Sequence, residues 1–139
     1  MRGLRFAVLV VPFVASAQGV SSSPSSPKPE IYFRSPANAA SVPRTFPVVF
    51  GLRNYGVAPA GIKVDNTGHF HVLIDVEPPA PGVIIPTDSL HRHFGTGVIE
   101  TTLTLSPGPH TLRLVLGDFE HKVIRSDLVS APVRVTVRR

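Results

Sequence analysis

The run Thr101-Thr102-Leu103-Thr104-Leu105-Ser106-Pro107-Gly108-Pro109-His110-Thr111-Leu112-Arg113-Leu114-Val115-Leu116 decides the fold class. Apolar and polar residues alternate on both sides of a Ser-Pro-Gly-Pro break. A period of two puts every second side chain on one face of a strand, and Pro-Gly marks a turn between strands. Leu103 and Leu105 before the break, and Leu112, Leu114 and Leu116 after it, predict a hairpin with one buried face.

The same period recurs outward from there. Ile31-Tyr32-Phe33, Phe46 to Leu52, Phe70 to Val76 and Val133 to Val137 each read as a short strand, and Val98 extends the first half of the hairpin towards its N-terminus. Pro47, which has no amide hydrogen, predicts an edge position at the start of its strand. Gly56 to Asn66 reads as a loop, Asn66-Thr67-Gly68 as a turn, and Glu77 to Leu90 as a long irregular segment rich in proline. No segment sustains a 3.6-residue period. The chain is therefore expected to be all-β, an immunoglobulin-like two-sheet β-sandwich of about six to eight strands, with a small closed barrel as the alternative.

Three segments divide the 139 residues. Residues 1–17 predict a signal peptide. Arg2 and Arg5 supply the positive start, Phe6 to Ala15 a short apolar run, and Ala15-Ser16-Ala17 a small-residue cleavage signal. The run is about half as long as a membrane-spanning helix requires, so no stable span is expected once the leader is removed. No cysteine follows the cleavage signal, which excludes a bacterial lipoprotein. Residues 18–29 form a Ser/Pro-rich linker with almost nothing to bury. Residues 30–139 are expected to make one domain, exported to the periplasm or secreted.

Composition narrows function. There is no cysteine and the one methionine is Met1, so the processed domain would offer no sulfur to a soft metal. The formal charge is +5, or +3 without the two leader arginines. The remaining basic residues are scattered singly apart from the pair Arg138 and Arg139, and tryptophan is absent. Nucleic-acid sites cluster basic residues with aromatic platforms, so nucleic acid is not an expected partner.

The six histidines all lie between positions 69 and 121. His69/His71 and His91/His93 have His-x-His spacing, which on a strand places two imidazoles on one face about 7 Å apart. In His69-Phe70-His71-Val72-Leu73-Ile74-Asp75-Val76 the apolar face is Phe70, Val72, Ile74 and Val76. His69, His71, Leu73 and Asp75 face away from the core, outward or under a covering loop. The 77–97 segment is the expected cover, since it carries His91 and His93. His69, His71, His91 and His93 are thus the candidate metal ligands. Asp75, Glu100, His110, Asp118 and His121 are candidates for supporting or alternate positions, and Glu77 and Glu120 are further oxygen donors. Imidazole with carboxylate suits Zn(II), Cu(II) or Ni(II), with Zn(II) or Cu(II) favoured here.

At these residues the chain resembles a known family. Asn66-Thr67-Gly68-His69-Phe70-His71-Val72-Leu73-Ile74-Asp75, Leu90-His91-Arg92-His93-Phe94-Gly95, Glu100-Thr101-Thr102-Leu103, Pro107-Gly108-Pro109-His110-Thr111-Leu112 and Leu116-Gly117-Asp118 resemble the bacterial family called domain of unknown function 4399. Ile31 to Pro36 and Gly56 to Gly61 match it too. The resemblance spans about residues 30–137 and implies a short exported bacterial protein. The family often shows three consecutive histidines where Phe70 here replaces the middle one, and that change leaves the outward pair intact.

Three functions follow as expectations. One is a periplasmic module that binds a divalent transition metal. The second is a structural or protein-interaction sandwich with a hydrogen-bonded histidine network and an envelope protein as partner. The third is a metal-dependent hydrolase with Glu100 as general base, although no catalytic motif such as GxSxG or HExxH is present.

Overall fold

The computed structural model describes residues 27–139. The signal peptide and most of the linker predicted from the sequence lie outside the described residues. Among the described residues nine strands form: β1 Glu30–Ser35, β2 Ala40–Val42, β3 Thr45–Arg53, β4 Gly56–Val57, β5 Thr67–Ile74, β6 His91–Phe94, β7 Glu100–Thr104, β8 Gly108–Gly117 and β9 Val133–Val137. One sheet has the order β1-β3-β7. The other runs β2-β9-β8-β5-β4, with β6 also paired to β5. The two sheets share no ladder, so the domain is a two-sheet sandwich of the immunoglobulin-like kind and not a closed barrel.

The alternating residues build the core as their period requires. Phe46, Val48 and Phe50 of β3 meet Phe70, Val72 and Ile74 of β5 and Leu112, Leu114 and Leu116 of β8. Phe50 and Phe70 pack with ring centroids 4.9 Å apart. Truncating a buried aromatic of this kind costs about 3–5 kcal/mol.

The hairpin expected at Ser106–Pro109 does not form. β7 pairs with β3, while β8 lies between β5 and β9. Both edges of β8 are taken, so the Pro-Gly turn carries the chain from one sheet to the other. β3 is the middle strand of its sheet, yet Pro47 lies at an open edge as expected, because β1 pairs only with Val49 to Arg53.

The outer face of the larger sheet is not bare. Leu73, Val115, Ile85 and Val123 form a second small core there. The 77–90 segment and the stretch after β8 cover it, tied by Ile85 N–H donating to the His121 carbonyl at 2.8 Å and Val123 N–H to the Val83 carbonyl at 3.0 Å. β5 is therefore buried on both faces, and the residues whose parity turns them from the main core enter this second one.

Candidate metal centre

His69 and His71 point into the second core, and both are essentially inaccessible, at 0% and 1%. Their Nε2 atoms are 3.0 Å apart. The neighbouring strand supplies a third ring. β6 lies beside β5, not over it as the sequence suggested, and its antiparallel register sets His93 directly opposite His71. One nitrogen from each of His69, His71 and His93 lies within 4.8 Å of the others. A fourth ring comes from the turn after β8. His121 stands 4.8 Å from His93, 5.0 Å from His69 and 6.0 Å from His71, centroid to centroid.

Two glycines make room for these rings. A Cβ at Gly117 would lie 2.8 Å from His71 Nε2, and one at Gly95 would overlap the His93 ring. Either substitution would push a ring off its position. Asp118 shapes the turn that presents His121: its Oδ1 accepts the amide hydrogens of Glu120 and Lys122, each at 2.9 Å. His121 itself has φ of 67°, a left-handed conformation uncommon outside glycine. The His121 N–H donates to the Asp118 carbonyl at 2.9 Å, which helps hold it there.

Burial sets the charge state. It pushes His69 down to about 4 and His71 down to about 3, helped by repulsion from the neighbouring rings. His93 is also lowered, by burial first and then by His121. At neutral pH these imidazoles carry free lone pairs, the form that binds a metal ion.

The cluster's residues all fall inside a region matched by a family model. Residues 48–138 match the Domain of unknown function (DUF4399). The chain belongs to this family. No curated protein and no solved structure matches it. The DUF4399 match begins in β3 and includes all six histidines.

The other candidates of this DUF4399 domain lie apart from the cluster. His91 is two residues from His93 and so opposite Leu73, one step too far along β5. Its Nδ1 is 2.8 Å from Asp88 Oδ1. His110 and Asp75 meet at the opposite end of β5, with His110 Nδ1 2.6 Å from Asp75 Oδ2. His110 Nε2 donates to the Ser106 carbonyl at 2.9 Å. The Ser106 hydroxyl is 3.5 Å away, but both ring nitrogens of His110 face acceptors, Asp75 and the Ser106 carbonyl, which favours the protonated ring and leaves no lone pair directed at the hydroxyl. Burial lowers the His110 pKa, yet the hydrogen bonds to Asp75 and Ser106 and the Asp75 charge raise it overall. Glu100 pairs with Val49 in the smaller sheet and is exposed on the far side of the sandwich. Glu77 and Glu120 bind Arg113 and Lys122, each at 3.0 Å.

Two contributors were not singled out from the sequence as part of the site. Gly95 and Gly117 lack a donor atom, and only their places beside His93 and before Asp118 pointed to them.

Proposed function

We propose that this domain is an exported binding module that holds one divalent transition-metal ion, Zn(II) or Cu(II), on His69, His71 and His93. The observation that carries the reading is the convergence of three neutral imidazole nitrogens within 4.8 Å, two of them buried. Nitrogens bound at about 2 Å to a tetrahedral ion are about 3.3 Å apart, close to the 3.0 Å between the two Nε2 atoms of β5. The donor set is all nitrogen, which favours these ions over Cu(I). The leader-like residues 1–17 support export.

A second reading is a metal-free structural network, with an envelope protein as partner. It is favoured by the same 3.0 Å contact, which one neutral ring can make by donating to the other. Nδ1 of both rings is buried with no hydrogen-bond partner among the described residues, a cost that either reading carries alike; the His93 nitrogen within 4.8 Å of the pair favours the ion. A hydrolase has less support, because Glu100 is remote from the cluster.

Thermal melts of residues 18–139 with and without Zn(II), Cu(II) and Ni(II) test the proposal. An ion at a hundred times its Kd stabilises by about 2.7 kcal/mol, roughly 10 °C for a domain of this size. The shift should vanish in His93→Ala, whose exposed ring can be removed with little effect on the metal-free melt. No shift with any ion would reject the proposal in favour of the network.

A further inference from the structure

We propose that an ion held on His69, His71 and His93 keeps one coordination position for a small external anion, reached from solvent beside His121. The inference rests on the metal-binding reading above and adds a ligand class to it.

The donors are asymmetric in depth. His69 and His71 form the buried floor, while His93 is exposed and His121 is half-buried. An external molecule therefore has one direction of approach, past the rings of His93 and His121. The protein donors also number three, and three protein ligands leave a fourth position in a tetrahedral site.

Charge selects what fills it. Among the described residues no carboxylate joins the three imidazoles. Asp118, whose charge reaches His69, has its Oδ1 engaged by two backbone amides. The three ligands are neutral, so the double charge of the ion is not cancelled by its ligands. His71 itself is flanked by apolar groups, with Val115 opposite it on β8 and Ile85 meeting it at Gly117, and a low dielectric there would strengthen the pull of an ion on an anion.

His121 is placed to meet that anion and is held back from the ion. Its ring lies 4.8 Å from His93 and 5.0 Å from His69 but 6.0 Å from His71, and it is not among the three histidines whose nitrogens lie within 4.8 Å of one another. Its backbone is fixed on both sides, by the N–H bond to Asp118 and by the Ile85 N–H bond to its carbonyl. A ring N–H in this position can donate to an anion bound between it and His93. The ligand class is a small monoanion with an oxygen or nitrogen donor, such as hydroxide, bicarbonate, formate or azide.

The test uses residues 18–139 loaded with one equivalent of Cu(II) and titrated with sodium azide, followed by absorption and electron paramagnetic resonance. A saturable azide-to-copper charge-transfer band with the copper still bound is expected. His121→Ala should keep the copper and bind azide about tenfold more weakly, the loss of one hydrogen bond to a charged group. A copper spectrum that azide leaves unchanged would overturn the inference while leaving the metal site standing. So would a fourth nitrogen coupling that disappears in His121→Ala, because His121 would then close the site itself. Failure to take up copper would overturn this inference, and failure to take up Zn(II) as well would defeat the metal reading with it.

Discussion

Strands β5 and β8 join two histidine environments of opposite character. At one end, His69 and His71 face each other and two further imidazoles, and burial holds them neutral. At the other, His110 has Asp75 on one nitrogen and the Ser106 carbonyl on the other, and its pKa is raised. The residue type is the same, and the partners differ. A histidine given two acceptors is favoured in its protonated form, which clamps the sheet while both nitrogens are engaged. A histidine buried among other histidines keeps its lone pair, and several together make a donor set. The contrast teaches that a histidine's use in this fold is set by whether an acceptor reaches it.

The largest effect expected from this contrast is on stability in acid. The metal-free protein folds with His69 and His71 neutral, whereas the unfolded chain protonates them near 6.5. The unfolded state thus binds more protons at lower pH, and stability falls as pH drops from about 6.5 towards 4 and 3. One pKa unit corresponds to about 1.4 kcal/mol, so the combined loss reaches several kcal/mol. His110 acts with the opposite sign: its contribution is full below about 6.5 and is lost as pH rises through its folded pKa. Urea melts of the metal-free protein between pH 3 and 8 should show the acid loss in wild type and in His110→Ala alike. A stability flat from pH 6.5 to 4 would break the comparison.

A smaller effect isolates the clamp. Asp75→Asn keeps an oxygen for the Thr111 N–H, which Asp75 Oδ1 accepts at 2.7 Å, and asparagine tolerates the φ of 59° at this position. It removes the charge beside His110 and replaces the oxygen that faces His110 Nδ1 with an amide N–H donor. The expected cost is about 1–3 kcal/mol in a denaturant melt, with the metal-induced shift unchanged. A metal shift that disappears in Asp75→Asn would mean that the two environments are coupled.

Much of the fold could be read from local pattern, since Phe70, Val72 and Ile74 alternate with His69, His71 and Leu73 and the parity of each survives in the structure. The pairing of β7 and β8 could not. The Ser106–Pro109 turn has the same chemistry whether it joins neighbours or crosses between sheets, and the choice depends on which strand edges are free. The site divides in the same way. His-x-His spacing fixes which histidines share a face, but only the register between β5 and β6 separates His93, opposite His71, from His91, opposite Leu73. His121 enters through a loop packed by the distant Ile85, and Gly95 and Gly117 contribute empty space. None of these has a signal at short range.

The most direct measurement is a long-range proton–nitrogen correlation spectrum of the histidine rings in ¹⁵N-labelled residues 18–139, recorded before and after one equivalent of Zn(II). The ring resonances of His69, His71 and His93 should shift strongly while those of His91 and His110 stay in place. Shifts at His91 or His110, or none at His69 and His71, would contradict it.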